Sequence, residues 1–189
     1  MSVGRLIEKT EDTLVVDQEL LSLIDELRYR VEDELESRHF LSLSDEEAPY
    51  YSPSAPLFGD EVQDKLGELQ FDIEEAGKCL ALNRHTACVF HLMRIIERVV
   101  QLVGGKLGVE SPNEKEWNAI VCQTRSKVNG MAKNDPQRDQ YAAILNHLDG
   151  VRMAWRNPTM HVRGKYTGEE AEDIFSHVRS FMRELVKVI

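Results

Sequence analysis

Six consecutive residues, Arg156-Asn157-Pro158-Thr159-Met160-His161, place a guanidinium, a side-chain amide and an imidazole in one short stretch. Arginine stays charged at any physiological pH and offers a planar fork of donors that matches phosphate oxygens. Histidine titrates near neutrality, so it can take or give a proton at working pH. Scission of a phosphodiester asks for that pair: one group to hold the phosphate and its developing charge, one to move protons. Pro158 has no amide hydrogen for a helix ladder and biases Asn157 away from helical geometry. The chain is expected to turn there, folding His161 back towards Arg156 near a helix end.

Spacing alone does not single out this pair. Arg84 and His91 satisfy the same loose pattern of Arg and His separated by four to six residues, and roughly one match is expected by chance in such a chain. Both of those lie inside a helical pattern, on one face but ~10 Å apart along the axis, too far to grip one phosphate together. The competing reading of Arg156, Asn157 and His161 is a helix C-terminus, with a cation beside its last carbonyls and a histidine satisfied locally.

The elements that must position this stretch read as helices nearly throughout. Leu20, Ile24, Leu27, Val31 and Leu35 make one stripe, bordered by Asp17, Glu26, Arg28, Glu32 and Glu36, which predicts a helix from about Asp12 to about Phe40. Ser44 to Gly59 carries Pro49, Pro53 and Pro56 between Tyr50, Tyr51, Leu57 and Phe58. That composition predicts an ordered strap over the bundle, or a boundary behind an N-terminal dimerisation helix. Asp60 with Gln63 resembles a capping box, opening a helix whose stripe runs Val62, Leu66, Leu69, Ile73, Ala76 and Leu80. Asn83 breaks it, and Arg84 to Val103 returns as an antiparallel partner. That partner is apolar on most of its circumference, Phe90 included, so it is expected in the centre of the core, ended by Gly104, Gly105 and Gly108. Ser111-Pro112-Asn113-Glu114 and Asp135-Pro136 read as starts of two further helices. The second of these carries Tyr141, Ile144, Leu145, Leu148, Val151 and Trp155 straight into Arg156. Thr167 to Glu170 is another capping box, before a last helix with Ile174, Phe175, Val178, Met182 and Leu185 on one side. The whole predicts an all-α antiparallel helical bundle of about six helices.

Composition narrows the functions. A net charge of −10 and a pI near 5.1 argue against coating nucleic acid with the whole surface, and leave room for a small basic site on an acidic body. No stretch approaches the ~20 apolar residues of a membrane span, and Met1 to Asp12 has no secretory apolar region, so a cytoplasmic protein is expected. Cys79, Cys88 and Cys122 are odd in number and form no CxxC, as reduced thiols do. His85, Cys88 and His91 recur every third residue, but such steps spread them over about 120° of a helix, and no fourth ligand accompanies them. No metal or cofactor is expected. Trp117 and Trp155 at helical spacing suit the core. Arg94 and Glu97 on the central helix read as an ion pair in the core, with support of Arg156 in substrate binding as the alternative.

Arg156-Asn157 followed by His161, beyond a helix of a small α-bundle, resembles the signature of the HEPN superfamily (higher eukaryotes and prokaryotes nucleotide-binding). The hairpin with Cys79-Leu80-Ala81 and Thr86-Ala87-Cys88-Val89-Phe90-His91-Leu92-Met93-Arg94 is similar to bacterial members of that group. The resemblance covers about Asp60 to Ile189 and divides the chain into an N-terminal helix over 1–43, a proline-containing strap over 44–59 and a HEPN-like domain over 60–189. It implies a metal-independent endoribonuclease, as a toxin or phage-defence effector, whose two motifs meet in one cleft of a homodimer. His161 would then act as general base or acid, Arg156 would hold the scissile phosphate, and Asn157 would orient one of them. Products would be a 2′,3′-cyclic phosphate and a 5′-hydroxyl. Some such domains are instead catalytically silent dimerisation or interaction modules. Members paired with an antitoxin that modifies them often carry a Tyr two residues after the His; here that residue is Arg163, which with Lys165 would help to bind RNA.

Overall fold

Apolar residues at three- and four-residue spacing must gather on one side of a helix. In the computed structural model, which describes residues 18–151, 154 and 165–189, they form eight α-helices, with no strand among the described residues. The chain divides into two compact units, Met1–Ser42 and Leu43–Ile189. The first holds α1 (Gln18–Glu36), which stops short of the expected end at Phe40, with its leucine stripe in solvent; the expected start at Asp12 lies outside the described residues. The second holds α2 (Ala48–Tyr51), α3 (Asp60–Lys65), α4 (Gln70–Ala81), α5 (His85–Lys106), α6 (Trp117–Gly130), α7 (Pro136–Val151) and α8 (Gly168–Leu185).

The second unit is built round α5. Its buried residues include Cys88, Val89, Leu92, Met93, Ile95, Ile96, Val99, Val100 and Val103, which no single neighbour could cover. It therefore packs against α4, α6 and α8 together, while α6 also meets α7. Phe90 departs from the expected core: it is 40% exposed.

Two expected helix breaks move for physical reasons. The helix predicted from Asp60 through Leu80 divides at Leu66, and the 3-10 turn Gly67–Leu69 separates α3 from α4. Gly67, with no side chain to hold helical geometry, is a weak link there. Gly104 and Gly105 lie inside α5 rather than ending it. A Cβ on Gly104 would come 2.5 Å from Ile120 Cγ2, so the glycine lets α6 approach closely, and Gly108, at φ +77°, follows the helix end. The capping boxes also divide. Thr167 and Glu170 form theirs reciprocally, and Asp135 Oδ1 accepts from the Gln137 amide at 2.9 Å. Gly59, however, is the N-cap of α3, and Asp60 to Gln63 makes no box. Ser111 opens only the short 3-10 turn Pro112–Glu114; α6 starts three residues later behind Glu116.

The proline segment belongs to the core. Phe58 is buried, and the rings of Tyr50 and Phe58 both meet Phe175 edge-on, at 5.5 and 5.4 Å. Arg183 Nε donates to the Phe58 carbonyl at 3.0 Å. Gly77 of α4 is what lets the segment lie so close: a Cβ there would stand 2.5 Å from Leu57 Cδ1 and 2.8 Å from the Tyr50 carbonyl oxygen. Gly77→Ala is therefore expected to destabilise the protein by ~1–3 kcal/mol, because backbone must shift. Gly150→Ala in α7, where a Cβ meets nothing within 4 Å, is expected to stabilise it by up to ~1 kcal/mol through helix propensity. Denaturant unfolding of the two variants reads both signs.

Candidate functional site

The turn between α4 and α5 fixes which of their residues face each other. Asn83 takes φ +56°, a conformation asparagine tolerates, and its amide donates to the Leu80 carbonyl at 3.1 Å. The hairpin so formed brings Asp72 beside His91 and Arg94. Asp72 Oδ1 accepts from His91 Nδ1 at 2.8 Å and from Arg94 Nε at 2.8 Å. A carboxylate at Nδ1 fixes the imidazole tautomer and leaves Nε2 as the acceptor. Phe71 and Phe90, 64% and 40% exposed, meet the His91 ring edge-on at 6.3 and 6.0 Å. Next along the hairpin, Arg98 donates to Glu68 Oε2 at 2.9 Å and to Asn113 Oδ1 at 2.9 Å. A groove of about 380 Å³ is lined by Glu68, Asp72, Arg94, Glu97, Arg98 and Gln101. Both guanidiniums already face a carboxylate, so the groove offers a polyanion little net positive charge.

Arg156, Asn157, His161 and Arg163 lie outside the described residues. Around them the structure places the flanks. Val151 ends the described part of α7 and is buried. Lys165 is exposed, and the Tyr166 amide donates to Thr86 Oγ1 at 3.2 Å. Gly168 lies against His85. The chain after the motif thus rests on the first turn of α5, whose N-cap Arg84 makes no side-chain cap and whose positive dipole end favours anions.

Arg94 and Glu97 are not a core pair. Arg94 is exposed and pairs with Asp72, while Glu97 is half-buried. Arg84 and His91 do not act on one another either: Arg84 only occupies the N-cap position of α5, and His91 is held by Asp72. Among the described residues no group of three or more His, Cys, Asp or Glu could hold a metal ion. Burial pushes the Cys88 thiol up to about 12, so it is a protonated core thiol at neutral pH. Asp72 and Phe71 were not singled out by motif reading. Stepping equally back and forward from the Leu82-Asn83 turn pairs Asp72 with Met93, so hairpin register sets it near Arg94 and, within a turn of helix, His91.

A second imidazole lies where α7 meets α8. His147 stacks on Phe181 at 4.4 Å and on His177 at 5.0 Å, beside a groove of about 350 Å³ lined by Ile144, Leu185 and Val188. Its Nε2 is buried without a hydrogen-bond partner. Burial, and secondarily His177, lowers its pKa below the ordinary 6.5.

No family model, curated protein or solved structure matches this chain. No described helix is long and apolar enough to cross a membrane.

His147 generates a pH dependence with a definite sign. Its folded pKa is depressed, so the unfolded chain binds the proton more readily between that value and 6.5. The stability that neutral His147 contributes is full above 6.5 and is lost as pH falls through the depressed pKa. The melting temperature is expected to fall on acidification across this window. His147→Phe, which keeps the stack and removes the titration, is expected to flatten that part of the profile.

Proposed function

We propose that this protein is a metal-independent endoribonuclease of HEPN type, which acts as a homodimer and cuts RNA at a site composed of two copies of Arg156-Asn157-Pro158-Thr159-Met160-His161. What supports the reading is the order of elements: in sequence the stretch falls between α7 and α8, helices of a unit with no strand among its described residues, and the chain at Tyr166 rests on the N-terminus of the central helix. His161 takes the proton of the 2′-hydroxyl as it attacks the adjacent phosphorus, and a histidine returns a proton to the leaving 5′-oxygen. Arg156 holds the non-bridging oxygens as charge builds on them, with Asn157 orienting one of the two. The balance gives a 2′,3′-cyclic phosphate and a 5′-hydroxyl. Arg163 and Lys165 supply positive charge beside this site on an otherwise acidic chain. A cytoplasmic toxin or phage-defence effector, held in check by an antitoxin protein, is the setting that suits such an activity.

A second reading, a catalytically silent dimerisation or interaction module, draws on the exposed Phe71 and Phe90 on either side of the half-buried His91, since exposed aromatics flanked by arginine are frequent anchors of protein interfaces. Purified protein incubated with RNA in EDTA separates the two. Cleavage is expected for the wild type, with Arg156→Ala and His161→Ala each lowering its rate by at least ~10²-fold. Undiminished cleavage by both variants removes these residues from the mechanism. A wild type that cuts no RNA moves the weight to the interaction module.

A further inference from the structure

We propose that α1 is a homodimerisation element, pairing in parallel with α1 of a second copy of this chain as a short two-stranded coiled coil. Leu20, Ile24, Leu27 and Val31 follow one another at steps of four, three and four, and Leu21, Leu23 and Leu35 flank them. All seven side chains are between 46% and 63% exposed. Aliphatic side chains half in water on this scale put on the order of 600 Å² of apolar surface on one helix, more than a few hundred Å² patch of an ordinary monomer and near the ~800 Å² per partner of a standard interface.

The residue types choose the occupant. Ile24 and Val31 fall at one seam position and Leu20 and Leu27 at the other, and β-branched residues at the first with leucine at the second favour two parallel strands. In that register Arg28 lies opposite Leu23 of the second copy and Arg30 opposite its Leu35, so aliphatic stems cover the flanking leucines and no like charges meet beside the seam. The charges already neutralise one another along the outer face: Arg30 with Glu26 at 2.5 Å, Arg28 with Asp25 at 3.6 Å and with Glu32 at 3.8 Å. Glu34 takes the next seam position, where two carboxylates would oppose each other, so the seam runs from Leu20 to Val31. A lipid surface is the poorer fit. The helix carries seven acidic residues, two arginines and no lysine, whereas surface-bound amphipathic helices carry basic residues towards anionic headgroups.

The ribonuclease reading also asks for a dimer, so the α1 variants and the cross-link, rather than the wild type's mass alone, test this pairing apart from it. Sedimentation equilibrium of the full chain is expected to show a dimer. The double variant Ile24→Glu, Leu27→Glu is expected to raise the dissociation constant at least ~100-fold, since it buries charge in the seam, while the thermal unfolding of the remainder is unchanged. Tyr29→Glu, on the outer face, is expected to leave the mass as it is. Leu20→Cys is expected to give a disulfide-linked dimer on mild oxidation, beyond any seen for the wild type under the same conditions, because parallel pairing sets Leu20 against Leu20. A wild type that remains monomeric up to ~100 μM overturns the proposal, at concentrations where a standard interface associates. So does a double variant that dimerises as tightly as the wild type, or a Leu20→Cys chain that gives no cross-link beyond the wild type.

Discussion

The burial of α5 is the constraint from which the second unit follows. A helix apolar on most of its circumference cannot rest on one partner, because a single neighbour covers only one stripe. α4, α6 and α8 surround it, and each is amphipathic in turn, which brings α7 and the proline segment into the same core. Close approach has conditions of its own. Gly104 admits α6 and Gly77 admits Leu57 and Tyr50, so two residues with no side chain determine how tightly the layers pack.

Polar and aromatic residues gather along one stretch of α5. His91 and Arg94 share one carboxylate, Asp72, and two exposed phenylalanines stand beside them. The chain after the Arg156–His161 stretch attaches at the same end of this helix, through Tyr166 and Thr86. One helix therefore organises the core along its buried sides and, towards its N-terminal end, holds both the Asp72–His91–Arg94 cluster and the chain at Tyr166. α1 presents the opposite case, a helix whose apolar face has no core of its own to enter.

Periodicity made the helices legible, since heptad-like spacing is local information. Asp135 and Thr167 announced their caps because their side chains bond neighbouring amides, and Asn83 its turn because asparagine tolerates a positive φ. What failed depends on packing across the fold. Whether Gly104 ends a helix or admits a neighbour is decided by Ile120, and whether Phe90 is buried is decided by how many helices surround α5. Ser111 reads as a cap by type, yet it takes φ +44° and starts a single 3-10 turn. The site was legible only as residue types: Arg156, Asn157 and His161 name a chemistry, while the Asp72–His91–Arg94 cluster required the register of a hairpin.

The central claim is that a 2′-hydroxyl, activated by His161, is the nucleophile that breaks the chain. Its most direct test is to offer the purified protein an RNA and the DNA of the same sequence in EDTA, and to analyse the ends by mass spectrometry. Cleavage of the RNA alone, leaving 2′,3′-cyclic phosphate and 5′-hydroxyl ends, is the expected result. Cleavage of the DNA, or RNA products with 5′-phosphate ends, would contradict the account.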